Sequence, residues 1–187
     1  MQKKLNKIAE DTDNYLKKFI KRQKKSDLIA PMRYGLFSRG KKIRSKILID
    51  IGSLFTSNYK PLIIIGSAIE CIHSYSLIHD DLPCMDNDTV RRGKPAAHIK
   101  FGEAPAVLAG SSLLTLAFEI ISDKKYSINS KKKNEIIKFL ASCSGHTGIA
   151  GGQELDLKFE NKKKSLNQII DMQRKKTGKL FNFCLNA

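Results

Sequence analysis

Apolar residues recur along this chain at intervals of three and four. Leu5, Ile8 and Ala9 are followed by Tyr15, Leu16, Phe19 and Ile20, the spacing that lays one apolar stripe along a helix. The same period, punctuated by Gly, Pro, Asn, Ser and charge clusters, predicts helices over about 3–22, 27–36, 43–57, 60–80, 103–122, 130–147 and 165–185. Loops are expected at Ser38 to Lys42, Ser57 to Lys60, Leu82 to Ala97, Asp123 to Asn129 and Asn161 to Lys164. No run alternates as a strand would, so the expected fold class is all-α. No loop is long enough to join two domains and no internal repeat is visible. A length of 187 residues suits one domain over 1–187.

The segment 60–80 departs from simple amphipathicity. It is apolar nearly all round through Ile63, Ile64, Ile65, Ala68, Ile69 and Ile72, which predicts a central, buried helix. Its polar residues, Glu70, His73, Ser74, Ser76, His79, Asp80 and Asp81, gather toward its C-terminal end. Burying unpaired carboxylates is costly, so these residues are expected to line a wet, cation-filled cavity or to reach solvent at the helix end.

Composition adds a strong positive charge, with 34 Lys and Arg against 18 Asp and Glu. Such a balance attracts polyanions, nucleic acid among them. The lysines, however, lie in runs such as Lys131-Lys132-Lys133 and Lys162-Lys163-Lys164 without interleaved aromatics for base stacking, the pattern of solvated faces. No nucleic-acid partner is therefore expected. The arginines are more telling: four of seven, Arg39, Arg44, Arg91 and Arg92, fall in two short segments, where a forked donor matched to phosphate oxygens would be useful. Cys71, Cys84, Cys143 and Cys184 form no CxxC pair and read as packing residues of a reduced, cytoplasmic protein. The N-terminus shows no signal pattern. The longest uncharged run, Ala104 to Phe118, falls short of the roughly 20 apolar residues that span a bilayer, so no stable membrane insertion is expected.

Asp80 and Asp86 straddle a turn bent by Pro83 and offer oxygen ligands only, which suits Mg²⁺ bridging carboxylates to phosphate oxygens. A zinc site built from Cys71, His73, His79 or Cys84 would lack any standard ligand spacing. Arg91 and Arg92 follow closely, with no obvious need to neutralise the carboxylates pairwise, and a diphosphate with its metal ions would satisfy both sets of charges. A second basic cluster, Arg39-Gly40-Lys41-Lys42-Ile43-Arg44, places a glycine and flanking cations at a helix start. That is either an anion site or an ordinary basic loop.

The run Glu70-Cys71-Ile72-His73-Ser74-Tyr75-Ser76-Leu77-Ile78-His79-Asp80-Asp81-Leu82-Pro83-Cys84-Met85-Asp86 resembles the first aspartate-rich region of the trans-prenyl diphosphate synthases. The likeness continues through Arg91-Arg92-Gly93-Lys94-Pro95, His98 to Gly102, Leu108-Ala109-Gly110 with Leu113 to Glu119, Gly151-Gly152-Gln153 with Leu155-Asp156-Leu157, and Lys176-Thr177-Gly178, covering residues 30 to 182 in family order. The Pro-containing insertion at Leu82 to Met85 is that of the bacterial short-chain type that makes farnesyl diphosphate, shared with geranylgeranyl diphosphate synthases.

The resemblance implies the N-terminal part of the family's helical bundle around a central cavity. It also implies a Mg²⁺-dependent prenyltransferase condensing isopentenyl diphosphate with an allylic diphosphate, dimethylallyl or geranyl, to farnesyl diphosphate. Asp80 and Asp86 would ligate Mg²⁺ and Asp81 would support them. Arg91 would hold the allylic diphosphate, while Arg92, Lys41, Arg44 and His73 would hold that of isopentenyl diphosphate. Gln153, Asp156, Lys176 and Thr177 match positions facing the allylic diphosphate and its metals, with Lys176 a cation for the leaving group. Tyr75, five residues before Asp80, would be the cavity floor limiting the product to C15, and Ser76 would leave its side open. A homodimer is implied as well. The family's second aspartate-rich motif lies beyond Lys176-Thr177 whereas this chain stops at Ala187, so an incomplete bundle is expected. Further departures are Arg39 for a glycine, Ser45 for a proline, Thr89 within an acidic run and Ser111 for an aspartate. The alternatives are a geranylgeranyl diphosphate synthase, or a truncated homologue of little activity that binds diphosphates or a partner subunit.

Overall fold

A computed structural model of the protein describes residues 2–38, 40–124 and 128–187. Arg39 and part of the expected loop at Asp123 to Asn129 lie outside the described residues. Among the described residues the regular elements are all helices apart from one short ribbon, and the chain forms two compact units, Met1–Ile128 and Asn129–Ala187.

The first unit holds α1 (Gln2–Lys21), α2 (Ile29–Leu36), α3 (Ile43–Gly52), α4 (Tyr59–Asp80), the strands β1 (Val90–Arg91) and β2 (Lys94–Pro95), α5 (Ala97–Phe101) and α6 (Glu103–Ser122). As the pattern predicts, α4 is its axis. Ile64, Ala68, Ile69, Cys71 and Ile72 are fully buried, and α1, α2, α3 and α6 all pack on it. The stripe of α1 meets it through Ile8, Leu16, Phe19 and Ile20, each buried. At about 25 cal/mol per Å² of apolar surface, each such side chain stabilises the unit by about 1.5–3 kcal/mol.

Both α4 and α6 are long and apolar enough to cross a membrane by length and composition, although 78% of the apolar window of α4 is buried inside the unit against 44% for α6. The uncharged run at 104–118 thus belongs to a longer helix than the run itself suggests.

The second unit contains α7 (Ser130–Ser144), α8 (Ile149–Phe159), α9 (Leu166–Gln173), a π-helical turn at Arg174–Gly178 and α10 (Lys179–Asn186). Half-buried Phe139 and fully buried Phe183 meet there at a tilt, with ring centres 5.3 Å apart. A capping box starts α9, where Ser165 and Gln168 exchange side-chain and backbone bonds.

Four features differ from the expectations. Helix α3 stops at Gly52, whose α-carbon abuts the Leu62 side chain, leaving Leu54 and Phe55 exposed. Helix α8 occupies a stretch where no helix is expected. The segment 165–185 is interrupted by the π turn. The loop at 82–97 contains an antiparallel ribbon pairing Val90 with Pro95 and Arg91 with Lys94. Of the cysteines, Cys71, Cys143 and Cys184 are buried as expected of packing residues, but Cys84 is exposed.

Candidate functional site

The C-terminal end of α4 is closed by its own backbone. The N–H of Asp86 donates to the carbonyl of Asp80 at 2.9 Å, and the N–H groups of Met85 and Asn87 both reach Leu82 O, at 2.9 and 3.1 Å. This ring returns Asp86 to the helix end where Asp80 sits, so the two carboxylates share one end of one helix. The last carbonyls of a helix carry partial negative charge, which adds to the attraction for a cation there. Asp80 is half-buried and Asp86 exposed.

Among the described residues no group of three or more His, Cys, Asp or Glu side chains converges as a metal cage. Two oxygen ligands at an open helix end fit Mg²⁺, which shares its shell with water and phosphate oxygens, and do not fit a closed zinc site.

Asp81 behaves differently from its neighbours. It is 2% exposed and accepts bonds from both Nε, at 2.8 Å, and a terminal nitrogen of Arg91. Arg91 also donates to Asp88 at 2.8 Å. Contrary to the expectation of unpaired charges, Arg91 therefore neutralises carboxylates directly. Burial lifts the Asp81 carboxyl above its ordinary range, and the Arg91 bonds oppose that rise. The bond to Asp81 raises Arg91 in turn. A small cavity lined by Tyr34, Ser74, Asp81 and Arg91 opens beside the pair.

The ribbon separates the two arginines. Its two-residue turn, Arg92-Gly93, has φ of 55° and 74°, the left-handed pair that matches the twist of a tight hairpin. From it the Arg92 guanidinium lies against the backbone of Gly40, where an added Cβ would fall 1.9 Å from an Arg92 nitrogen. Arg92 thereby meets the basic loop, while Arg91 meets the aspartates.

His73 lies between these groups. Burial, then the cations of Arg44, Arg92, Lys42 and Arg91, push its imidazole down to about 3. It is therefore neutral at physiological pH, in a cationic pocket suited to an anion. Lys41 is exposed and Arg44 is half-buried.

Tyr75 and Ser76 are buried on the same helix, at 8% exposure each. Burial and a smaller push from Asp80 raise the Tyr75 phenol. The Tyr75 ring meets the edge of His79 at 5.6 Å between centres. His79 Nε2 is 3.0 Å from Val107 O on α6, and its ring leaves no room for a side chain at Gly110, where a Cβ would fall 2.2 Å from Nε2.

In the second unit the π turn brings Lys176 to α8, donating from Nζ to Asp156 Oδ2 at 2.5 Å. The close approach depends on Gly152, whose added Cβ would lie 2.1 Å from Lys176 N. Gln153 is buried one helical turn before Asp156, and Thr177 is exposed.

Glu70 and Lys42 have partners that the sequence does not reveal. Glu70, expected to line a wet cavity or to reach solvent, is only 3% exposed. It accepts the Ser45 N–H at 3.0 Å and pairs with Lys42 at 3.9 Å. Lys42, one lysine among many in sequence, is buried, and Asp13 of α1 completes the cluster at 3.4 Å.

Residues 25–187 match the profile of the polyprenyl synthetase family. The chain belongs to that family. The farnesyl diphosphate synthase of Bacillus subtilis (strain 168) is 43% identical over 157 residues, covering 83% of this chain and 53% of the relative. That of Escherichia coli (strain K12) is 45% identical over 154 residues, covering 82% and 52%. This polyprenyl synthetase chain therefore spans about half the length of the curated relatives it matches. Among solved structures, a geranyltransferase from Legionella pneumophila superposes with a TM-score of 0.94 at 34% identity, covering 98% of this chain and 66% of that one. An FPP/GFPP synthase from Zymomonas mobilis gives 0.91 at 40% identity, covering 98% and 68%.

Proposed function

We propose that this polyprenyl synthetase acts as a prenyltransferase, joining isopentenyl diphosphate head to tail to a dimethylallyl or geranyl diphosphate and giving farnesyl diphosphate. The observation that carries the reading is the arrangement around the end of α4. Asp80 and Asp86 sit on a closed loop beside Arg91, while Arg44 and Arg92 are the cations that act most strongly on His73. That division of charge supports a reading of two adjoining sites for two diphosphates. Family membership and relatives named farnesyl diphosphate synthase support it.

In this reading Asp80 and Asp86 hold Mg²⁺, which when bound would neutralise charge on the leaving diphosphate. Arg91 orients the allylic diphosphate, and Lys176, Thr177, Gln153 and Asp156 of the second unit are diphosphate-binding residues by the family resemblance. Lys41, Arg44, His73 and Arg92 fix the isopentenyl diphosphate so that its double bond faces the allylic carbon. Fixed cations stabilise the charge that develops on the departing oxygen as the allylic C–O bond breaks. The isopentenyl double bond then forms the new C–C bond, and loss of a proton from the adduct restores an alkene, the released diphosphate accepting that proton. Tyr75 forms the floor that stops growth at C15, with Ser76 beside it. The protein acts in the cytoplasm as a homodimer.

The test is turnover of dimethylallyl and isopentenyl diphosphates by the full gene product, with product length read by gas chromatography. Mg²⁺-dependent C15 product is expected. Binding of both diphosphates without turnover would refute the enzymatic reading, and a C20 product would refute the assignment of Tyr75.

A further inference from the structure

The buried ion cluster behind the basic loop has no part in the reaction as described above, yet it holds that loop in place. Helix α3 begins at Ile43, and its N-cap residue, Lys42, makes no side-chain cap. The first N–H groups of a helix lack intrahelical partners. That of Ser45 is satisfied from another helix, by Oε1 of Glu70 on α4 at 3.0 Å. The other Glu70 oxygen is 3.9 Å from Lys42 Nζ. The same ammonium donates to Leu36 O at the end of α2, at 2.8 Å, and lies 3.4 Å from Asp13 of α1.

Lys42 holds a left-handed backbone, φ 49° and ψ 44°, which a non-glycine residue adopts only when its surroundings impose it. Its side chain is 6% exposed, and the ammonium is held by the Leu36 carbonyl, by Asp13 and by the Glu70 carboxylate, which is itself 4% exposed. Lys41 and Arg44 flank this residue, and Glu70 stands one helical turn before His73 on α4. One carboxylate thus meets both the start of α3 and the buried lysine at the turn that carries the basic side chains.

We infer that Glu70 is a positioning residue for the isopentenyl diphosphate half of the site, setting Lys41 and Arg44 against His73 through the Ser45 N–H and the Lys42 ammonium. The inference rests on the function proposed above. A residue that only buttressed the core would affect both substrates alike. One that sets this loop affects the isopentenyl diphosphate alone.

The experiment is calorimetric titration of the full gene product with isopentenyl diphosphate, without an allylic partner, alongside steady-state KM for each substrate. Glu70→Gln keeps an acceptor for Ser45 but leaves Lys42 without its charged partner on α4. Loss of one charge-assisted contact corresponds to about tenfold in affinity. An isopentenyl diphosphate Kd and KM raised about tenfold, with the allylic KM unchanged, would support the role. If wild type binds and Glu70→Gln binds equally well, the positioning role falls while the site assignment stands. If wild type itself does not bind isopentenyl diphosphate, the site assignment falls. Should Glu70→Gln fail to fold, the double variant Lys42→Met with Glu70→Met leaves no buried charge at this pair. A wild-type Kd in that variant would overturn the proposal, and a raised one would support it.

Discussion

The Asp81–Arg91 pair predicts an asymmetry between its two halves. Asp81 has a side chain only 3% exposed, whereas that of Arg91 is 33% exposed and keeps a second carboxylate, Asp88. Arg91→Met leaves a buried carboxylate without its guanidinium. Breaking a fully buried pair costs about 3–5 kcal/mol, and the partial exposure of Arg91 reduces this to about 2–3 kcal/mol. Asp81→Asn preserves shape and an acceptor oxygen while Arg91 retains Asp88, so its cost should stay near 1 kcal/mol. Urea unfolding at pH 7 of wild type and both variants measures the difference. The pH dependence gives a second reading. A carboxyl whose folded pKa is raised binds its proton before the unfolded chain does, so stability falls as pH rises from the unfolded value of about 3.9 through the folded one. Removing Arg91 removes the group that opposes the rise, so the deficit of Arg91→Met should shrink as the pH is lowered from 7 to 5. An Asp81→Asn variant as unstable as Arg91→Met, or a deficit independent of pH, would refute the reasoning.

Tyr75→Ala should lengthen the product beyond C15, read by chromatography of the extracted alcohols, and unchanged length would return Tyr75 to an ordinary core role. Gly152→Ala meets the Lys176 backbone at 2.1 Å, whereas Gly93→Ala meets nothing within 4 Å and suffers only its φ of 74°. Thermal melts should therefore show a loss near 3 kcal/mol for the first, the upper end of overpacking costs, and about 1 kcal/mol for the second. His73, held down to about 3, stays neutral in the fold while the unfolded imidazole protonates below about 6.5. Stability should therefore fall as pH drops below about 6.5, by up to about 1.4 kcal/mol per pH unit from this residue, and His73→Gln should flatten that slope in urea melts.

Much of the first unit was legible because burial imposes a period on sequence. Helix α4 is apolar on every face since neighbours cover every face, and its polar end marks the place where cover stops. The ribbon left no such mark, because two paired residues per strand are too few to alternate. Its only trace is Arg92-Gly93, a pair suited to left-handed turns. Helix α8 is masked because Gly151 and Gly152 within it lower helix propensity, although Gly152 is needed for the close approach to the π turn. The π turn has no period of its own to read. Lys42 and Glu70 were hidden for another reason: a pairing between residues 28 apart in sequence cannot be read from either neighbourhood, and nothing local distinguishes Lys42 from the exposed lysines around it.

The two adjacent arginines show how backbone geometry divides the proposed labour. In an extended strand, neighbouring side chains already point to opposite faces. The left-handed φ of Arg92 then carries its guanidinium to Gly40, while Arg91, still within the ribbon, turns to Asp81 and Asp88. Two guanidinium groups joined by one peptide unit can therefore serve two diphosphates without competing for either. Nε and one terminal nitrogen of Arg91 make the three bonds to Asp81 and Asp88, so the two N–H groups of its other terminal nitrogen can meet an anion. Any further donor is released most cheaply from Asp88, whose side chain is 51% exposed and readily solvated. The bonds to buried Asp81 would persist, because that carboxylate has little water to replace them. The Asp81 pair thus holds Arg91 in place while its Asp88 partner gives way, keeping the guanidinium near the Asp80–Asp86 loop before a substrate arrives.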